Sequence, residues 1–449
     1  MTETTLAKAT QQSFECAAPN SMTAREPSLG QEEAPCSSIR IAIVISHPIQ
    51  YYTPYYRALA AVPGVVLKVF FCNRQGVETY YDLDFKTHVK WDIPLLDGYD
   101  FEFLDDPNEA DSYRAQFQAF SLFQKPPLSF WTVDNPQIVE SLARFRPEVV
   151  EIHGYSHRAT WRALHWCNQN EVRVVLCSDS NGAARVAWWK RVAKALIVKQ
   201  IYRRLDGALA NGDNNRRYHM QYGMPPERIF TRALPVDCNL LRSAAGEANA
   251  TRREIRNRHG IPADAFVVIY AGKLSQRKCP THLLAALLRS SQQGLNVWGL
   301  IAGEGELRDE VETHIAKYEM KNIALAGFVN QSEIAKYYAA SDCVTLMSSY
   351  EPKGLTVPEA GSVGCPAILS DRIGCIGPND CARPGENTLI YPWGDINAFA
   401  DCISRLYRDP QLYRAMSEAA VRIANLQDAR VAAKQMKEAA SRLIQLDCR

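Results

Sequence analysis

Short apolar runs alternate with longer amphipathic stretches in two separate parts of the chain. Residues 40–46 (RIAIVIS) form a nearly continuous β-branched run, the pattern of a strand buried inside a parallel sheet. A helical pattern over 51–61 and a second apolar run over 65–72 follow, so the chain opens with a predicted β-α-β unit. After a polar, proline-containing stretch the alternation resumes, with predicted strands at 148–152, 172–177 and 208–210 and helices at 157–168 and 184–205.

A second alternating set begins near residue 266. Its predicted strands are 266–271, 297–302, 323–326, 343–347, 367–369 and 388–391. Its predicted helices are 281–293, 305–318, 331–340, 355–363, 395–408 and 410–425, with a last helix over 427–447. Between the two sets lies the charged stretch 242–259, with Arg252, Arg253, Glu254 and Arg256, which predicts a surface helix beside a linker.

The two sets predict an α/β protein with two Rossmann-like, doubly wound parallel-sheet domains, because parallel crossovers are right-handed. Ligands of such sheets bind at the carboxyl ends of the strands, so the cleft between the domains is the expected site. We expect a disordered leader over 1–38, a first domain over 39–237, a second domain over 238–426 and a terminal helix over 427–449. The leader is rich in Thr, Ser, Ala, Glu and Pro and has few large apolar residues.

Composition excludes several classes of protein. The 449 residues carry 51 Lys and Arg against 49 Asp and Glu, so there is no overall basic field for nucleic-acid binding. No apolar run approaches the roughly 20 residues that a membrane span needs, and no secretory signal is visible. The 13 cysteines include no Cys-x-x-Cys pair, which predicts reduced thiols, no metal site and a cytoplasmic protein.

Two carboxylates mark the stretch 348–374 (SSYEPKGLTVPEAGSVGCPAILSDRIG) as the candidate site. Glu351 and Glu359 flank Gly354-Leu355-Thr356, a turn into a helix whose free N–H groups suit a phosphate. Glu359 has two interpretations. It can accept hydrogen bonds from a ribose, or it can form a capping box with Thr356.

Basic residues follow the first strand of the second domain. Gly272 ends that strand, and Lys273, Arg277 and Lys278 come next, which suits a diphosphate unless the loop is merely a solvated basic one. Gly303 in Gly303-Glu304-Gly305 would let the backbone approach a ligand closely. This is not Gly-x-Gly-x-x-Gly, so an NAD enzyme is poorly supported.

These motifs, in this order, resemble the retaining, nucleotide-sugar-dependent glycosyltransferases of family 4, which have the GT-B fold. The resemblance is strong over about 265–425 and weaker over 39–237, where Ser46-His47-Pro48-Ile49-Gln50-Tyr51-Tyr52 is similar to the first loop of bacterial members. It also rests on Gly327-Phe328-Val329, Gly364-x-Pro366, Ser370-Asp371 and Gly385-Glu386-Asn387.

The resemblance implies a role for each matching residue. Lys273 and Lys278 match the pair on the donor pyrophosphate, and Glu351 the carboxylate facing the donor sugar, so Glu351, Lys278 and His153 are the expected catalytic residues. His153, at a strand end, would reach the donor sugar from across the cleft. The other expected donor-binding residues are Gly272, Gly303, Phe328, Val329, Lys353, Gly354, Leu355, Thr356 and Glu359, with His47 and Gln50 on the acceptor side.

The resemblance also implies a mechanism. A sugar would pass from a UDP- or GDP-sugar to a hydroxyl with retained configuration and without a metal or other cofactor, in cell-surface polysaccharide, glycolipid or glycoconjugate synthesis. The sequence departs from the family at Lys273, where Arg is usual, and at Pro352-Lys353 in place of Gly-Phe, which adds a cation near the phosphate. Its first loop, His47-Pro48-Ile49, replaces a glycine-rich one.

Two alternative functions, and two interpretations of one basic stretch, stay open at the level of sequence. A sugar-nucleotide epimerase of the same fold, or a non-catalytic nucleotide-sugar-binding protein, would bind the same donor. The basic stretch around Lys190, Arg191 and Lys194, beside Trp188 and Trp189, is either a packed domain helix or a peripheral contact with the inner face of the cytoplasmic membrane. The acceptor is accordingly a carbohydrate, a lipid-linked sugar or a small molecule.

Overall fold

The computed structural model describes residues 38–104, 133–180, 195 and 197–446. The expected leader lies outside the described residues apart from Ser38, and so does most of the basic stretch over 184–196. Within the described part, no helix combines the length and the apolar character needed to cross a bilayer.

The first half of the chain builds a seven-stranded sheet in which all the pairs are parallel. The described strands of this half are, in chain order, β1 (Ile39–Ile45), β2 (Val65–Phe71), β3 (Tyr80–Asp82), β4 (Thr87–Val89), β5 (Asp100–Phe103), β6 (Val149–His153), β7 (Arg173–Cys177), β8 (Gly207–Ala210) and β9 (Ile229–Thr231). The sheet order is β5-β2-β1-β6-β7-β8-β9, and β3 and β4 form a separate antiparallel hairpin. The helices are α1 (Thr53–Ala60), α2 (Ile138–Phe145), α3 (Arg158–Gln169) and α4 (Asp213–Gln221).

The second half repeats the plan with a six-stranded parallel sheet of order β12-β11-β10-β13-β14-β15. Its strands are β10 (Phe266–Ala271), β11 (Val297–Ala302), β12 (Ile323–Gly327), β13 (Cys343–Leu346), β14 (Ala367–Ser370) and β15 (Thr388–Tyr391). Its helices are α5 (Cys238–Ala245), α6 (Ala248–Arg258), α7 (Pro280–Gln292), α8 (Arg308–Lys317), α9 (Gln331–Ala339), α10 (Thr356–Ser362), α11 (Ile396–Arg408), α12 (Pro410–Asn425) and α13 (Ala429–Gln445). The predicted pair of Rossmann-like sheets is confirmed.

Burial on both faces explains why the central strands are apolar throughout. In β1, Ile41, Ala42, Ile43 and Val44 are fully buried, although successive side chains point to opposite faces of the sheet. Helices therefore cover both faces, and each large aliphatic side chain buried there contributes about 1.5–3 kcal/mol.

Helix α13 packs against the first domain rather than the second. Met436 and Leu443 lie in one apolar cluster with Tyr55, Tyr56 and Leu59 of α1. Four alanines of α13, at 432, 433, 439 and 440, are buried in the same cluster, so the two helices can approach closely.

The chain passes between the two sheets at two places that lie side by side. Val236 donates its N–H to the carbonyl oxygen of Gln427 at 3.2 Å, and the N–H of Ala429 donates to the carbonyl oxygen of Val236 at 2.8 Å. The side chain of Gln427 also accepts from the N–H of Leu234 at 2.9 Å. The two crossings are therefore joined to each other by hydrogen bonds.

The charged stretch 242–259 contains the end of α5 and all of α6, and the prediction of a surface helix is wrong for Arg256. Arg253 and Glu254 are exposed, whereas the residue Arg256 is only 2% exposed. The Arg256 guanidinium donates to the carboxylate of Asp342 at 2.8 Å and to the carbonyl oxygen of Ala265 at 2.7 Å. Buried charges need such partners, and Asp342 lies too far along the chain for a local pattern to reveal it.

Candidate active site

Glu351 lies between two cations at the carboxyl edge of the second sheet. It follows β13, and its Oε2 accepts a hydrogen bond from Lys278 Nζ and lies 3.3 Å from Arg277 Nη1. The Arg277 loop is joined to the same segment, since the N–H of Ser349 donates to the Arg277 carbonyl oxygen at 2.9 Å. Two cations against one carboxylate leave a net positive charge here, which attracts an anion.

Lys273 does not join this cluster. Its Nζ lies 3.1 Å from Asp82 Oδ1 and 3.0 Å from Asp84 Oδ2, both in the β3–β4 hairpin of the first domain. The ammonium also lies 4.7 Å from the centre of the Phe85 ring. The structure thus brings Lys278 and Glu351 together, while Lys273 is bound by a segment that the sequence left without an assignment.

The loop after β12 is covered by the same hairpin and the residues that follow it. Phe328 meets Phe85 edge to face with 5.1 Å between ring centres, and it meets Trp91 at 6.2 Å. Asn330 Nδ2 donates to the carbonyl oxygen of Lys90 at 2.6 Å. The neighbouring Val329 packs, partly buried, against the core of the second domain.

Gly272 and Gly303 hold two strand-end loops against each other. A Cβ on Gly303 would lie 1.8 Å from the carbonyl oxygen of Gly272, so only glycine fits. The N–H of Leu274 donates to the Glu304 carbonyl oxygen at 2.8 Å across the same junction. The close approach expected at Gly303 is therefore made by the chain itself, and it fixes the loop that carries the basic residues.

The turn at Gly354 directs the chain into α10. Gly354 has φ of 59°, and a Cβ there would lie 2.8 Å from Cys375 Sγ. Leu355 precedes the helix and Thr356 begins it, and no side-chain capping bond forms at this end. The capping-box interpretation of Glu359 is therefore not supported.

Glu359 is instead paired with an aromatic hydroxyl. Tyr338 donates its hydroxyl hydrogen to Glu359 Oε2 at 3.1 Å. Burial raises the pKa of the Glu359 carboxyl, while the hydrogen bond from Tyr338 opposes that shift.

Lys353 crosses the cleft to the first domain. Its buried ammonium donates to the hydroxyl of Tyr52 at 2.8 Å and lies 2.6 Å from Asp179 Oδ1. The sequence placed this cation near a phosphate, but the structure directs it to the strand ends of the first sheet. Neither partner could be assigned to Lys353 from the sequence, because Tyr52 and Asp179 lie about 300 and 170 positions away in the first domain.

His153 ends β6 and rests on a buried carboxylate. Its Nε2 lies 2.8 Å from Glu151 Oε1, and its side chain is 7% exposed. Burial lowers the pKa of His153, and hydrogen bonding and charge from Glu151 oppose that shift. Although burial opposes ionisation of Glu151, the adjacent Arg232 and His153 lower its pKa to about 2.

Glu151, His153 and Cys177 are the one group of three potential metal ligands found within the described residues. Arg232, itself buried, already donates to Glu151 Oε1 at 3.1 Å and to Cys177 Sγ at 2.6 Å. A metal cation would fit poorly beside this guanidinium, because two positive charges would share the same ligands.

A cavity of about 460 Å³ lies at the carboxyl ends of β1, β6 and β7. Its lining includes Ile49, Tyr155, Ser156, Asp179 and Tyr350 as well as His153. His47 begins the loop beside it, with Nδ1 2.9 Å from Ser46 Oγ, and burial lowers the pKa of His47 to about 4. Gln50 lies in the following turn, partly exposed.

The two domains also meet at the start of α4. The N–H of Asp213 donates to Asp380 Oδ2 at 3.2 Å, and Asn214 Nδ2 donates to the carbonyl oxygen of Gly374 at 2.9 Å. Burial raises the pKa of Asp380 to about 6, and the N–H of Asp213 partly opposes this. A carboxyl group that retains its proton this strongly makes the contact sensitive to pH.

Asp380→Asn should therefore flatten part of the pH dependence of stability. The folded state binds the Asp380 proton more tightly than the unfolded chain, so this group stabilises the fold at low pH. That contribution, at most about 3 kcal/mol, is lost as the pH rises from about 4 through 6. Urea unfolding from pH 4 to 8 should show the variant gaining stability relative to the wild type as the pH increases. A constant difference would contradict the assignment.

The fold places the chain in a known structural class. It aligns with HepE from Anabaena in complex with UDP at a TM-score of 0.66, with 16% identity, covering 90% of this chain and 100% of HepE. Sucrose-phosphate synthase from Thermosynechococcus elongatus aligns at 0.60, with 18% identity, over 90% of this chain and 99% of that one. The chain has the two-domain GT-B fold.

A sequence family is matched within the second domain. Residues 251–422 match the model of the family described as glycosyl transferases group 1. This segment contains Glu351, Glu359, Lys273 and Lys278.

Curated relatives are similar over part of their length. Alpha-D-kanosaminyltransferase of Streptomyces kanamyceticus is 26% identical over 38% of this chain and 44% of the relative. D-inositol 3-phosphate glycosyltransferase of Thermomonospora curvata is 27% identical over 51% of this chain and 55% of the relative. For the putative glycosyltransferase EpsD of Bacillus subtilis, the identity is 28%, over 62% of this chain and 67% of EpsD. The chain thus spans from under half to about two thirds of these relatives.

Proposed function

We propose that this protein is a glycosyltransferase that moves a sugar from a nucleoside-diphosphate sugar to a hydroxyl group. The observation that carries the proposal is the contact of Lys278 and Arg277 with Glu351, at the strand ends that face the other domain. The match of residues 251–422 to glycosyl transferases group 1 supports it. So do the relatives named for sugar transfer and the UDP complex of HepE.

The proposed chemistry is mainly electrostatic. When the bond between the sugar and the diphosphate breaks, the departing oxygen gains negative charge. Lys278, Arg277 and the N–H groups that begin α10 would stabilise this charge. Glu351 would orient the sugar hydroxyls, and His153 would contact the sugar from the first domain. Cations already held in place need little reorganisation during the reaction.

We further propose that the configuration at the sugar is retained and that no metal is required. The acceptor hydroxyl would attack on the face that the diphosphate leaves, and its proton would pass to the departing phosphate oxygen. The acceptor would enter the 460 Å³ cavity, which is lined by Ser46, Tyr155 and Tyr350. A product of cell-surface glycoconjugate type is part of this proposal, and peripheral membrane contact through residues 184–205 stays a prediction.

A panel of nucleotide sugars tests the proposal. UDP- or GDP-sugars that bind should raise the melting temperature, because a ligand of the folded state stabilises it by mass action. The stabilising donor should then be consumed to give a new glycoside, with the anomeric configuration read by NMR and activity unchanged by EDTA. An epimerised nucleotide sugar, or binding without turnover, would favour an epimerase or a binding protein. No stabilisation by any sugar nucleotide would contradict the proposal.

A further inference from the structure

We propose that the β3–β4 hairpin occupies the donor site as an internal ligand that a nucleoside diphosphate must displace. This inference rests on the proposed function, because it names the donor site as the place that the hairpin fills. Asp82, Asp84 and Phe85 are the residues that fill the site. The two carboxylates contact Lys273, which is expected to bind a diphosphate. The aromatic ring contacts Phe328, which is expected to border a nucleobase.

The two carboxylates of the hairpin lie against Lys273. Asp82 Oδ1 and Asp84 Oδ2 lie 3.1 and 3.0 Å from Nζ, and Asp82 Oδ2 lies 3.3 Å away. Asp82 is largely buried, with 14% of its side chain exposed. Two carboxylates against one ammonium leave a net negative charge, which repels a diphosphate. A diphosphate can reach Lys273 only after these ion pairs break.

The aromatic ring of the hairpin lies against Phe328. Phe85 contacts it edge to face, with 5.1 Å between ring centres and an angle of 83°. A base stacked between two rings needs roughly 7 Å between them, so this space is already filled. Phe85 also lies beside the Lys273 ammonium, 4.7 Å from ring centre to Nζ. One short hairpin therefore covers both expected contacts at once.

The hairpin is anchored beyond its tip. Lys90 accepts from Asn330 through its carbonyl oxygen, and Asp92 accepts from the N–H of Ser332 at 3.2 Å and from its hydroxyl. On the outer side of the tip, Tyr81 and Leu83 are 50% and 54% exposed. The tip can thus move away while residues 90–92 stay attached.

Pyrophosphate and a nucleoside diphosphate differ in the contacts that each makes once the hairpin tip has moved. Inorganic pyrophosphate replaces the carboxylates on Lys273 but does not replace the Phe85 ring against Phe328, which then keeps only Trp91 of the two rings described. A nucleoside diphosphate supplies both an anion for Lys273 and an aromatic ring for Phe328, so it replaces both of the contacts that are lost when the hairpin moves. The wild-type protein should therefore bind UDP or GDP far better than pyrophosphate.

Calorimetric titration with UDP, GDP and pyrophosphate tests the inference. The double variant Asp82→Asn/Asp84→Asn should bind the preferred nucleotide about tenfold more tightly than the wild type, with a similar gain for pyrophosphate, because both ligands must break the same ion pairs. Phe85→Ala should also bind the nucleotide more tightly, because it removes the ring that fills the space. Asp100→Asn is the matched control and should leave affinity unchanged, since Asp100 of β5 is paired with Lys68 of β2, away from the hairpin. Circular dichroism and melting temperatures confirm that each variant folds.

The direction in which Phe85→Ala changes the nucleotide affinity distinguishes this inference from an alternative in which the hairpin closes over the bound nucleotide. If Phe85 stacked on the bound base, Phe85→Ala would weaken nucleotide binding, and that result would overturn the inference while leaving the proposed function intact. Equal affinity in the wild type and the double variant would overturn it as well. If neither the wild type nor any variant binds UDP or GDP, the proposed function fails, and the inference fails with it.

Discussion

Lys278→Ala should lower the turnover number for sugar transfer by about a hundredfold to a thousandfold, the loss typical when one fixed group that stabilises developing charge is removed. Lys278 is tied to Glu351 in a largely buried contact, with 15% and 13% of the two side chains exposed. Its loss would remove a cation from the leaving group and would leave Glu351 with Arg277 alone. The donor affinity should fall much less than the turnover number if the charge matters most in the transition state.

Lys321→Ala serves as the matched control for this prediction. Lys321 is an exposed lysine of the same domain, so its removal changes the net charge equally without touching the site. Turnover is measured as nucleotide release with the donor that stabilises the wild type best. Activity within a factor of two of the wild type in Lys278→Ala would remove the basis for the proposed role.

Arg256→Ala should destabilise the protein by about 3–5 kcal/mol, the usual cost of leaving one partner of a buried ion pair alone. The Arg256 guanidinium donates to the carbonyl oxygens of Ala340, Ala263 and Ala265 at 3.0, 2.9 and 2.7 Å, as well as to Asp342. The bonds to Ala340, Ala265 and Asp342 are buried, so these acceptors would be left without a partner when the side chain is removed. The measurement is the free energy of unfolding from urea titration.

Arg258→Ala is the control two residues away in the same helix. Arg258 pairs with Glu254 at 2.7 Å on the surface, and about half of each side chain is exposed. Exposed pairs of this kind contribute about 0.3–0.5 kcal/mol, so the two substitutions should differ several-fold. Similar losses in both variants would mean that the buried network does not hold the helix to the sheet.

The sheets could be predicted well because their strands are buried on both faces. For β10 and β11 the predicted and observed bounds agree, since a run of apolar residues can end only where the chain reaches the edge of the sheet. The β3–β4 hairpin was missed because its strands are three residues each and largely polar. Local periodicity carries no signal for a segment whose stabilising partners, such as Lys273 and Phe328, lie about 190–240 positions away.

The candidate site could be predicted in its composition but only partly in its geometry. The cations and carboxylates at 273–278 and 351–359 could be named from the resemblance to a known family. The direction of Lys353 could not, because an exposed cation and a buried one look alike in sequence. Its burial depends on Asp179, which a different domain supplies.

The paired crossings between the domains limit how the cleft can open. A single linker would leave several rotational degrees of freedom. Here the two crossings are joined by hydrogen bonds that involve Val236 on one crossing and Gln427 on the other. Twisting one domain against the other would shear these bonds, whereas bending about the line through the two crossings would preserve them. Opening and closing then reduce to one angular coordinate, so one distance measured across the mouth of the cleft describes the whole motion.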